Sequence, residues 1–138
     1  MIQRDYILRM IEMLGELIAA ILGLIRKGEY NKASENLSQI YYDMLKQDAV
    51  FFRNIPESEL TNKLLKEHNY TNGHLEILAE LFYAEAELSL ARSDTESTLA
   101  YTRKALLLFE YIDIAYKTYS QVRINKINTL HQRLNPAS

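Results

Sequence analysis

The sequence predicts an all-α chain of about six helices, folded as antiparallel helical hairpins with a C-terminal helix capping one end. Two observations carry this. Apolar residues recur at alternating spacings of three and four over most of the 138 residues, which is the period of one helix face. Four glycines and two prolines in the whole chain leave few interior breakers. At this length a single domain, residues 1–138, is expected, with roughly two-thirds of the unfolded chain's surface buried.

The first helix is predicted over Ile2 to Lys27. Ile7, Met10, Leu14, Leu17, Ile21 and Leu24 form one heptad seam, and Ile11, Ile18 and Ile25 a second, flanked by Leu8 and Leu22. So wide an apolar arc marks this helix as central or as lying in an oligomer interface. Arg26 and Lys27 suit the negative end of the helix dipole, and Gly28 can take the left-handed conformation that stops a helix.

Glu29 to Gln47 resumes the helical spacing with Tyr30, Ala33, Leu37, Ile40 or Tyr41, Met44 and Leu45, closing a first hairpin. Between Asp48 and Ile55 the pattern lapses, with Val50, Phe51 and Phe52 expected to anchor the connection. Pro56 fits the first turn of a short helix to Glu67, and Glu57 and Glu59 favour its positive end.

His68 to Gly73 reads as a loop, with Thr71 or Asn72 capping the next helix. That helix, His74 to Ala91, is apolar nearly all round, save a stripe of Glu76, Glu80, Tyr83 and Glu87. Ser93 and Asp94 turn the chain, Asp94 or Thr95 caps a long helix carrying Leu99, Ala105, Leu106, Phe109, Ile112 and Tyr116, and a second hairpin results. A break at Ser120 is expected to start a last helix, Gln121 to Leu134, packing through Val122, Ile127, Leu130 and Leu134; one continuous helix through this point is the alternative.

Sixteen basic against eighteen acidic residues give a net charge of −2, with no global field to attract nucleic acid or an anionic membrane. No cysteine is present, which removes disulfides, thiolate metal sites and cysteine nucleophiles. The longest apolar run, Leu17 to Ile25, is far shorter than the roughly 20 residues that span a bilayer. Charges on both sides make it a poor secretion signal, so a cytoplasmic location is expected.

The two hairpins resemble each other. Gly28, Tyr30, Ala33, Leu37 and Ile40 of the first overlie Ser93, Thr95, Thr98, Thr102 and Ala105 of the second, where Lys104, Ala105 and Leu106 give a Lys-Ala-Leu run. This unit resembles the tetratricopeptide repeat, a helix-turn-helix of about 34 residues. Gly28 and Ser93 are 65 residues apart, close to two such repeats. The opening Met1-Ile2-Gln3-Arg4-Asp5-Tyr6-Ile7 and the overall layout are similar to a tetratricopeptide-like helical family of uncharacterised bacterial proteins. The resemblance implies a stacked helical array in a bacterial protein and brings no catalytic residue with it.

A search for chemistry finds none of the usual constellations. His68, His74 and His131 stand in no metal-binding spacing, and His68 and His74 read more simply as exposed loop residues. Carboxylate-bridged metal bundles need Glu-x-x-His pairs, which are absent. The four glycines form no phosphate loop, and no serine sits in a nucleophile elbow. Gly15 and Gly23 lie inside a helix, where close helix packing is the usual reason. No catalytic residue, metal or cofactor is therefore expected. Ten tyrosines suit half-buried packing or partner contacts.

One stripe points further. Glu76, Glu80, Tyr83 and Glu87 follow at spacings of four, three and four, so they share one narrow helix face. In a tetratricopeptide-like array the leading helices line the concave groove, where such a face would suit a basic peptide; otherwise it is a solvated face. The expected function is a non-catalytic interaction or scaffolding module with a protein or peptide partner. Alternatives are a small-molecule binder or enzyme with a cavity between helices, or a structural homodimer through Leu8, Ile11, Ile18 and Leu22 of the first helix.

Overall fold

A computed structural model describes residues 2–116 and 120–135, with side chains from Tyr6 onward. All regular structure among them is helical: α1 (Ile2–Arg26), α2 (Tyr30–Leu45), α3 (Ala49–Arg53), α4 (Leu60–Asn62), α5 (Asn72–Ala91), α6 (Thr95–Tyr116) and α7 (Gln121–Leu134).

α1 and α2 form the first hairpin. Gly28 turns the chain in the left-handed region at φ 79°, and the Glu29 N–H reaches back to the Leu24 carbonyl at 2.9 Å. α2 buries Ala33, Leu37, Met44 and Leu45, as its spacing predicts, and both Ile40 and Tyr41, while Tyr30 is half-buried; it ends in left-handed Lys46.

The middle segment departs from expectation in two places. Residues 49–53 form a one-turn helix, α3, because the Asp48 carboxylate caps it by accepting the Phe51 N–H at 2.9 Å. Phe52 is buried there and Phe51 packs on the core, but Val50 points outward. Pro56 stands before the following turn in extended backbone, not inside it. Glu57–Glu59 make a 3-10 turn, α4 follows, and Lys63–Glu67 widen into a π turn. Leu60 and Leu64 seat this segment. The Tyr70 hydroxyl pins its end by donating to the Leu45 carbonyl at 2.6 Å.

α5 is the central helix. Twelve of its twenty residues are buried, and it packs against α1, α2 and α6. α1, predicted to be central or interfacial, lies at the edge. Thr71 caps α5, and His74 closes a capping box in which its Nδ1 accepts the Thr71 N–H at 3.0 Å. Gly73 is buried in the first turn, and a Cβ there would overlap the Ile7 side chain of α1.

Asp94 starts α6 by accepting the Ser97 N–H at 3.1 Å, and Ser120 starts α7 by accepting that of Arg123 at 3.2 Å. α6 returns antiparallel to α5, and α7 lies against α6 as the C-terminal helix of the array. α7 buries Leu130 and packs Ile127 and Leu134 partway, while Val122 is exposed, against expectation. One continuous cluster of buried side chains joins α1, α2 and α5–α7. No helix is long and apolar enough to cross a membrane, among the described residues.

Candidate functional site

The acidic stripe of α5 faces α7. Lys126 donates to both carboxylate oxygens of Glu80, at 2.7 and 2.6 Å, and Arg133 pairs with Glu87. Lys126 and Arg133 are seven residues apart on α7, as Glu80 and Glu87 are on α5. Both helices run antiparallel to α6 and hence parallel to each other, so a two-turn spacing on one matches a two-turn spacing on the other.

Tyr83 sits between the pairs, with Lys126 Nζ 5.7 Å and the Arg133 guanidinium 5.8 Å from its ring centre. Glu76 accepts from the Tyr116 hydroxyl at 3.3 Å. Burial raises the Glu76 carboxyl above its ordinary range. Burial and the neighbouring Glu76 push the Tyr116 hydroxyl up to about 12. Two further pairs tie α7 to α6: Arg123 to Asp113 at 2.9 Å and His131 to Glu110 at 3.4 Å. The four stripe residues are thus together on one face, and the cations that face them belong to the same chain.

A second polar cluster, which periodicity did not single out, is buried where α2, α3, α5 and α6 meet. Glu85, 4% exposed, accepts from Arg53 Nε at 2.6 Å and from the Tyr41 hydroxyl at 3.1 Å. Arg53 also lies over the Tyr41 ring, 5.6 Å from its centre. Lys104 donates to the Arg53 carbonyl at 3.0 Å.

Burial and the Glu85 charge hold the Tyr41 hydroxyl well above its ordinary range. Burial opposes the charge on Arg53, but the Glu85 carboxylate more than offsets it and keeps the guanidinium protonated. Burial likewise pushes Tyr101 up to about 12. These groups satisfy one another, which makes the cluster a pin between elements. Its only signal in the sequence is a charged residue between Ala84 and Ala86 on an otherwise apolar flank.

The predicted interface residues of α1 divide. Leu8 is 50% exposed, Ile11 and Leu22 are half-buried, and Ile18 belongs to the core. On the other flank of α1, Tyr6, Met10, Met13 and Leu17 face Ile40 and Met44 of α2 across an open groove of about 360 Å³, with Arg9 and Asp43 at its rim. Met13 and Tyr6 are more than half exposed there.

The histidines serve locally: His68 stacks edge-on to Phe51, His74 caps α5, and His131 pairs with Glu110. Among the described residues no group of His, Cys, Asp and Glu could hold a metal ion. Comparison with protein-family models, curated proteins and solved structures finds no match to this chain.

Proposed function

We propose that this chain is a non-catalytic protein-interaction module that seats an amphipathic helix of a partner protein in the groove between α1 and α2. The observation that carries the reading is the cluster of exposed apolar side chains lining that groove, Tyr6, Met13 and Leu17, beside buried Met10, Ile40 and Met44. Isolated exposed hydrophobics are ordinary, whereas a concave apolar row at helical spacing matches the helix-in-groove mode.

Three methionines suit an adaptable surface, because their unbranched thioethers repack around different ligands. Arg9 and Asp43 at the rim would set the orientation of the incoming helix. The tetratricopeptide-like reading of the two hairpins supports the same class of function. Buried Glu85 and Tyr41 pair with each other and with Arg53 instead of converging on a cavity, which favours this reading over an enzyme.

The experiment is quantitative affinity capture from the source cell with the unaltered chain and with Leu17→Asp. A partner enriched on the former and lost on the latter supports the groove. Equal recovery of the same proteins on both would overturn it.

A further inference from the structure

α1 has neighbours on one side only. Ile7, Met10, Leu14, Ile18 and Ile21 are buried, and at 100° per residue the opposite side centres near Ala19 and Glu12. This outward face carries Leu8 and Ala19, with Glu12, Glu16 and Arg26 among them, and half-buried Leu22 lies at its edge. None of the three charged residues is in an ion pair among the described residues.

The same face holds the two mid-helix glycines. A Cβ at Gly15 would meet nothing within 4 Å, and one at Gly23 only the far end of Arg26 at 4.0 Å. Packing within the chain requires neither glycine, although glycine weakens a helix interior relative to alanine.

The charges decide how such a face can meet another copy of itself. The acidic residues, Glu12 and Glu16, lie in the middle of α1 and the basic one at its end. Parallel pairing would oppose Glu12 to Glu12 and Arg26 to Arg26. Antiparallel pairing about Ala19 behaves differently, because Gly15 and Gly23 lie four residues to either side of it and Glu12 and Arg26 seven. That register places Ala19 against Ala19 on the two-fold axis, glycine against glycine four residues out on both sides, and carboxylate against guanidinium about one turn further out. A two-fold contact of this kind closes on itself and leaves no surface to propagate.

We propose that α1 pairs through this face with α1 of a second copy, antiparallel about Ala19, with Glu12 of each chain meeting Arg26 of the other. The pairing also sets Leu22 of each chain opposite Glu16 of the other. It is independent of the groove between α1 and α2, which lies on the other flank of the helix.

The absence of cysteine makes the test direct. Ala19→Cys should form an intermolecular disulfide under mild oxidation, whereas Glu96→Cys, on α6, should not. Sedimentation equilibrium of the unaltered chain should give a dimer. Glu12→Arg and Arg26→Glu should each raise the dimer dissociation constant roughly tenfold, since each turns two symmetric attractions into repulsions. Combining the two should restore it, and circular dichroism should show full helicity throughout. Met13→Asp, in the groove, should leave the dimer intact. A monomer at concentrations on the order of 100 µM, a dimer indifferent to both reversals, a double variant no better than the singles, or a dimer broken by Met13→Asp would each overturn the proposal.

Discussion

Replacing Arg53 with methionine should destabilise the protein by about 2 to 3 kcal/mol, and replacing its partner Glu85 as well should return most of that loss. The Glu85 side chain is 6% exposed and holds its charge against Arg53 at 2.6 Å and Tyr41 at 3.1 Å. Without Arg53, a carboxylate in a nearly dry site keeps a single neutral donor. Breaking a fully buried pair costs roughly 3 to 5 kcal/mol; the Arg53 side chain is 26% exposed, so water can reach the site and the cost falls to about 2 to 3 kcal/mol. Glu85→Met alone should cost about 1 to 2 kcal/mol, because Arg53 can turn to solvent while the buried Tyr41 hydroxyl loses its acceptor. In the double variant only that hydroxyl is unpaired, and the net loss should be about 1 kcal/mol. The sum of the single losses then exceeds the double by roughly 2 to 4 kcal/mol. Urea unfolding of the four proteins, with an unchanged denaturant slope, measures the cycle. Additive losses would refute the view that Glu85 depends on Arg53.

Two glycines should respond oppositely to alanine. Gly73→Ala forces a Cβ into the Ile7 Cγ2 and should cost about 1 to 2 kcal/mol, a cost that should vanish in an Ile7→Ala background, which lacks that methyl, whereas Gly15→Ala meets open space and should add up to about 1 kcal/mol to the unpaired chain. Thermal melts at low protein concentration measure both. Reversing the latch of α7 with Lys126→Glu and Arg133→Glu should cost about 1 to 2 kcal/mol and speed amide exchange in residues 121–134, and molar salt should do the same more weakly. If α7 stays fully protected in the variant, the ion pairs are not what seats it. The capping box should depend on pH. Burial lowers the His74 pKa below 6.5, so its contribution is present above that value and is lost as pH falls through the depressed pKa, when Nδ1 can no longer accept the Thr71 N–H. His74→Gln, which keeps an acceptor at that position, should flatten the dependence in stability measured across pH 4 to 8, whereas Thr71→Ala should cost about 1 kcal/mol throughout.

The helices and their ends were legible because they depend on near neighbours in the chain. Apolar spacing placed α1, α2, α5, α6 and α7, and Thr71, Asp94 and Ser120 act as caps where their side chains can reach a backbone N–H three residues on. The exceptions are short: α3 rests on one Asp48 cap, and the π turn at Lys63–Glu67 on the way Leu60 and Leu64 meet the core. Neither is long enough to establish a period.

Which faces meet is a different kind of fact. The spacing of Glu76, Glu80, Tyr83 and Glu87 showed that they share a face, and nothing in that spacing names what covers it. The cover depends on α7 running parallel to α5 with Lys126 and Arg133 in matching register. Likewise Leu8 and Ile18 belong to the same apolar arc, yet one is exposed and the other buried. A helix's own sequence determines the width of its apolar arc, whereas the arrangement of its neighbours decides how much of that arc is covered. Here α5 is covered on every side until Leu90 near its C-terminal end, and α1, no less apolar in pattern, retains an outward face and one wall of an open groove.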